Sequence, residues 1–335
     1  MPEHWAADFA PLEGQSGGLP AALHFEYHNS PPLAARLASV SARANTRDGR
    51  APRLSCRQIR PSDLLAVVDL LCEGFPSRRR AYWWDGLQRL AAHVLPDGVP
   101  RFGYVLVSGE VIVGVLLLIH STRLGDAEIR CNVSSWYVRP RYHAYATLLN
   151  LHAIRNHRVT YVNISPAQNT LATLDAWSFT RGTVGCFVGM PALSRIRRGV
   201  TAILVSDPWP RSALMSAADA RLLDDHLRFG CIPLWVETEN RGFLFIFRKR
   251  TLRFGRLPCA MLVYCPSIDD LERFAGVIGR RLAARGLPLM LAGTERPLRG
   301  ILGKHFPAKM PIYYKGCVRP RSSDLSYTEA AMFGI

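Results

Sequence analysis

The chain has 335 residues, 48% of them apolar, and a formal net charge of +16. That length suits two hydrophobic cores, and the apolar share excludes a wholly disordered protein. The charge favours anionic partners without choosing among nucleic acid, acidic lipid, a polyphosphate cofactor or an acidic carrier protein.

No apolar run reaches the ~20 residues of a membrane span. The longest candidate, Val111–Ile119, reads as a buried strand. The N-terminal residues lack a basic segment followed by an apolar one, so no secretory signal is visible and a cytoplasmic protein is expected. The eight cysteines are scattered without a C-x-x-C pair, which supports neither a disulfide framework nor a zinc site.

Residues 1–53 are rich in Gly, Pro, Ser, Ala and Arg and read as a mostly disordered leader, with a short helix near Pro32–Ser41. Order is expected from a strand at 54–60 that Pro61 ends. Ser62 is expected to cap a helix whose buried face carries Leu64, Val67, Val68 and Leu71, and a second helix spans about Arg80–Val94. Strands follow at Phe102–Val107, Val111–His120 and Ile129–Val138, the first two joined by a hairpin turn at Ser108-Gly109-Glu110. After Arg139-Pro140 a helix starts near Ala144, then come a strand at Val159–Ile164, a helix at Asn169–Trp177 and a strand at Thr183–Val188.

The second half repeats the tail of this order. It reads as a helix at Ser216–Phe229, strands at Cys231–Glu237, Phe243–Arg248 and Cys259–Tyr264, and a helix at Ile268–Arg285. A strand at Leu287–Leu291, a short helix near Leu298–Leu302 and a strand at Pro311–Lys315 complete it. Equal element order suggests duplication, with a boundary between Pro191 and Trp209. The expected architecture is α/β, a mixed sheet flanked by helices in two tandem halves: 1–53 leader, 54–193 first domain, 194–335 second domain.

One turn stands out chemically. Arg139, Arg141 and His143 flank the start of the helix after Val138, where free amides and the helix dipole already favour an anion. With its flanks this stretch, Trp136-Tyr137-Val138-x-Pro140-x-Tyr142-His143-Ala144-Tyr145-Ala146, resembles the phosphate loop of the GNAT acyltransferase superfamily. The resemblance covers residues 54–190 well and the second half by element order alone. It implies transfer of an acyl group from acetyl-CoA or a longer acyl-CoA, or from an acidic acyl carrier protein, to an amine or hydroxyl. It also implies cofactor contacts at Val138, Arg139, His143, Ala144, Tyr145, Ala146, Thr147 and Asn169. Ala144 and Ala146 stand where the family has glycines, and Leu174 where it often has a tyrosine that serves as general acid. In the second half the matching turn carries Asp269 and Asp270, which repel phosphate, so only the first half is expected to bind the cofactor.

For the chemistry, His120 is the base best suited by its ordinary pKa, Glu128 is a second carboxylate candidate, and Ser135 and Tyr137 are proton relays or donors to the acyl group. No P-loop, G-x-G-x-x-G or metal motif occurs. A non-catalytic acyl-CoA sensor or scaffold is the alternative function, and nucleic-acid binding ranks last for want of a recognised motif.

Overall fold

The computed structural model describes residues 54–122, 128–206, 209, 211–252 and 257–334. The leader and its short helix lie outside the described residues. Among the described residues no helix is long and apolar enough to cross a membrane.

The first half runs β1 (Leu54–Gln58), α1 (Leu64–Gly74), α2 (Arg80–Ala92), β2 (Gly103–Ser108), β3 (Val111–Ser121), β4 (Ile129–Val138), α3 (Ala146–Ala153), β5 (Val159–Asn163), α4 (Leu171–Ala176) and β6 (Thr180–Met190). The second runs β7 (Thr201–Leu204), α5 (Ala217–Arg228), β8 (Ile232–Glu237), β9 (Gly242–Leu252), β10 (Leu257–Tyr264), α6 (Ile268–Ala283), β11 (Leu289–Thr294) and β12 (Leu302–Lys315), followed by a four-residue helix α7 (Glu329–Met332).

All twelve strands join one sheet in the order β1-β2-β3-β4-β5-β12-β6-β11-β10-β9-β8-β7. The order is palindromic about the β12–β6 pair. Each half contributes one strand to the other, since β12 sits between β5 and β6 while β6 sits between β11 and β12. The two halves are therefore tandem GNAT-like units of seven strands that share β6 and β12, and their strands do not segregate at the chain midpoint.

Strand alternation assigns the two faces. On β3, Val115, Leu117 and Ile119 pack with α1 and α2, whereas Leu116 and Leu118 pack with Leu149 of α3 and Leu174 of α4. Helix α6 shows how sequence sets such packing. Ser267 caps it by accepting the Asp270 N–H, and Leu271, Phe274, Ala275, Ile278 and Leu282 are buried on one face. A fully buried side chain of this kind contributes about 1.5–3 kcal/mol. Gly279 on the same helix lets the Pro191–Ala192 turn between the halves approach, because a Cβ there would lie 2.2 Å from the Ala192 nitrogen.

Local corrections have clear causes. Asp63, not Ser62, serves the first helical turn, accepting the Arg60 N–H at 2.7 Å and two bonds from Arg57. The expected helix at Leu298–Leu302 is a turn around Gly300 (φ +70°), and β12 starts at Leu302. Strand β7 and helix α7 are additional to the expected elements. The eight cysteines are unpaired and five are buried.

Candidate functional site

Strands β4 and β5 run parallel and pair from Ile129↔Val159 to Asn132↔Val162. Beyond Asn132 they part, because β5 ends at Asn163 while β4 continues to Val138 along β3. Within that stretch the β3 register jumps: Leu118 faces Val133 and Leu116 faces Trp136. Ser134 and Ser135 thus oppose Leu117 alone, a β-bulge that takes one peptide out of the ladder where the strands splay.

The C-terminal strap, residues 323–334, crosses the sheet at this place. It first pairs with β10 through the Tyr264↔Asp324 bridge, with Leu325 N–H donating to Val263 O at 2.8 Å. Arg130 of β4 then holds Asp324 at 2.7 Å. Asn132 accepts the Glu329 N–H at 2.8 Å and donates to Val162 O at 3.0 Å, tying strap, β4 and β5 together. The Glu329 carboxylate, on a residue only 5% exposed, accepts hydrogen bonds from Ser134 on the bulge and from Ser165 after β5. Burial raises its pKa above the ordinary carboxylate value, while the two serines and nearby Arg78 pull it back.

On the other face of β4, Trp136 packs beside Trp177 with ring centroids 6.0 Å apart, and its indole N–H is buried with no hydrogen-bond partner among the described residues. A buried donor left open is costly, so this one is suited to a ligand oxygen.

The sequence-derived candidates fall in several places. Ser135 lies in the bulge. Tyr137 points to α1 and donates to Glu73 at 3.1 Å. Glu73 also holds Arg139 at 2.9 Å, so that cation is already paired. Val138 is buried, and its carbonyl is bonded to His143 Nε2 at 2.8 Å. Residues Pro140–Tyr145 form a 3₁₀ helix in which Tyr142 N–H donates to Arg139 O and Ala146 N–H to His143 O. The bare row of amides expected from Ala144 onward is therefore shortened, because tight i→i+3 bonding uses donors that a glycine-rich loop would leave open. Arg141, His143 and Ala144 are exposed there, with Tyr145, Ala146 and Thr147 half-buried behind them. Asn169 lies in the 3₁₀ turn Gln168–Thr170.

His120 is not at the bulge. It pairs with Cys131, is 2% exposed, and burial pushes its pKa down to about 4. Glu128 precedes β4, and one of its carboxylate oxygens is buried without a partner. Leu174 is buried in the apolar layer under α3. In the second half, Ser267 closes the matching helix start on Asp270, and the strap backbone fills the space beside the end of β10.

A groove of about 300 Å³ lies away from the splay, between α1 and the β2–β3 hairpin. Its charged lining includes Arg57, paired to Asp63, and Arg139, paired to Glu73. A pocket of about 10 Å³ lies where the strap crosses Arg130 and Asn132. Among the described residues no cluster of His, Cys, Asp and Glu could hold a metal.

A parallel pair that splays beside a bulged strand, in a mixed sheet with helices on both faces, defines the GNAT acyl-CoA N-acyltransferase fold, here in tandem. The structure is similar to a GCN5-related N-acetyltransferase from Anabaena variabilis, with a TM-score of 0.51 and 10% identity over 78% of this chain and 72% of that one. It is also similar to a conserved protein of unknown function from Enterococcus faecalis, with a TM-score of 0.50 and 11% identity over 83% and 74% of the two chains. A GCN5-related glucosamine N-acetyltransferase region of a fungal multi-domain beta-N-acetylglucosaminidase gives 0.50 and 12%, over 80% of this chain and 38% of that one. At such identities the likeness is one of fold. No protein-family model matches the sequence, and no curated protein sequence matches it.

Proposed function

We propose that the chain is an acyltransferase that moves an acyl group from an acyl-CoA to an amine at the β4–β5 splay. The observation that carries this reading is the bulge at Ser134–Ser135, flanked on one face by the open Trp136 N–H and on the other by the buried Glu329 carboxylate. A thioester needs a donor for its oxygen, and an attacking amine needs a base. Trp136 and the bulge supply the first, and Glu329 the second.

In the transfer, the amine nitrogen adds to the thioester carbonyl carbon, the C–N bond forms, and the C–S bond breaks. The proton lost by the ammonium passes to Glu329, and the departing thiolate takes up a proton as CoA thiol. A carboxylate made more basic by burial suits proton removal near neutrality better than an ordinary one. His120, buried and pushed down to about 4, is a weaker base and pairs with Cys131 rather than lying at the bulge. In this reading the exposed Arg141 and His143 side chains would meet the CoA diphosphate, together with the start of α3.

The sensor or scaffold reading is favoured by Leu174, buried where the family often has an acid, and by the strap lying on the acceptor side. Calorimetric titration with acetyl-CoA and palmitoyl-CoA, followed by thiol release in an amine panel, separates the two. Binding with thiol release that falls in Glu329→Gln supports the transferase. Binding without release for any amine supports the sensor instead, and no binding of either thioester overturns both.

A further inference from the structure

Helix α6 buries one face on the sheet and a second under the turn that joins the halves. A Cβ on Gly279 would lie 2.2 Å from the Ala192 nitrogen, and one on Gly276 2.6 Å from the Ser194 oxygen, so this turn lies directly on the helix. The helical period puts Arg273, Val277, Arg280 and Ala284 in one row beside those glycines. Arg273 and Arg280 are exposed there, with Val277 half-buried between them. The acidic residues of α6 lie near its start and are engaged: Asp269 and Glu272 hold Arg296, and Asp270 is bonded to Ser267.

Past its seat on α6 the turn runs Arg195-Ile196-Arg197-Arg198-Gly199, exposed throughout. Among the described residues, none of Arg195, Arg197, Arg198, Arg273, Arg280 and Arg281 has a carboxylate within 4.0 Å. Two large aliphatic side chains stand among these cations, Leu193 at 65% exposure and Ile196 at 38%. The ring that Arg273 covers at 5.0 Å, Phe274, is buried. So many unneutralised cations on one surface attract a polyanion. Nucleic acid rewards exposed aromatic rings beside the cations, on which bases stack, whereas aliphatic side chains gain by entering hydrocarbon.

We propose that the turn between the halves and the outer row of α6 form a docking surface for an anionic phospholipid bilayer. The arginines meet the headgroup charges, and Leu193 and Ile196 dip to the acyl boundary. This surface is independent of the transferase reading, since it uses no residue of the β4–β5 splay.

Flotation of the full chain with phosphatidylcholine vesicles, with and without phosphatidylserine, tests it. Binding is expected to be at least ~tenfold tighter with phosphatidylserine and to weaken as salt rises. An arginine near such a surface contributes about fivefold, so Arg195→Gln/Arg197→Gln/Arg198→Gln should weaken binding about 100-fold. The matching triple Lys variant should keep most of it, because the bilayer reads charge. Leu193→Ser/Ile196→Ser should weaken it about tenfold at low and high salt alike. Removing three exposed first-half cations, in Arg79→Gln/Arg155→Gln/Arg158→Gln, should cost less than ~tenfold. Equal binding to both vesicles, or equal losses in the two triple Gln variants, overturns the proposal. Vesicle binding untouched by Leu193→Ser/Ile196→Ser overturns it too, and tighter binding of a DNA duplex would then identify nucleic acid as the occupant.

Discussion

Ser134 and Glu329 are hydrogen-bonded across 195 positions of sequence, in the gap between two strands that have stopped pairing. Removing the carboxylate leaves the Ser134 and Ser165 hydroxyls without it, and Ser134 is buried. Glu329→Ala should therefore lose about 1–3 kcal/mol of stability, read from urea midpoints. Glu329→Gln, which keeps the shape, should lose much less and yet slow thiol release at least ~100-fold at pH 7.

Trp136 gives a prediction of opposite sign. Its N–H is buried and unpartnered, so Trp136→Phe removes an unsatisfied donor and should change free-state stability by less than ~1 kcal/mol. If that N–H meets the thioester oxygen, thiol release should nonetheless fall about tenfold or more. A variant with wild-type turnover would remove Trp136 from the site.

Phe333 is seated on α2 through Gly86, where a Cβ would lie 2.1 Å from the phenyl ring. Gly86→Ala should cost about 1–3 kcal/mol by overpacking, with part recovered when Phe333→Leu is added. A urea double-mutant cycle reads the coupling. Additive losses would mean the strap does not dock there.

Arg130 anchors the other end of the strap. Its side chain is 20% exposed and that of Asp324 4%. Asp324 keeps bonds from Ser326 and a longer contact to Arg321. Arg130→Ala is thus expected to cost about 1–3 kcal/mol and to speed thermolysin cleavage within residues 323–334.

Stability should also fall with acid. His226 and His120 are pushed down to about 4 by burial, and His93 is lowered as well. Two of these rings sit beside the strap: His93 and His226 each lie 5.0 Å from the Tyr327 ring, whose hydroxyl donates to Asp225 at 2.8 Å. The unfolded chain takes up protons below the ordinary histidine value of about 6.5, and the folded one resists until about 4. Stability is thus fully present above pH 6.5 and falls by a few kcal/mol, roughly, towards pH 4. Glu329 acts in the opposite sense, since its raised value favours the fold at low pH and loses that contribution as pH rises. Urea melts at pH 7 and pH 5 should show the histidine loss dominating. A larger stability at pH 5 would contradict it.

The local order of the first half was legible because period-2 and helical apolar patterns sit between clear breakers such as Pro61 and Pro140. The four-residue β7 carries too little pattern, and Gly300 made a turn out of an apolar Leu298–Leu302 run. The exchange of β6 and β12 was hidden because pairing between remote strands leaves no mark on either one. Glu329 escaped notice for the same reason: nothing in Thr328-Glu329-Ala330-Ala331-Met332 singles out its carboxylate, and only the tertiary path brings it to Ser134. The basic turn was visible, but not that Arg139 would be taken by Glu73 or that the turn would tighten to 3₁₀.

Amide hydrogen exchange, with and without acetyl-CoA, tests the central assignment most directly. Slower exchange confined to peptides covering residues 133–148 is the predicted result, since the acyl oxygen would meet the bulge and the diphosphate the turn that follows. Unchanged exchange in those peptides at saturating thioester, or protection only around α6 and β10, would contradict it.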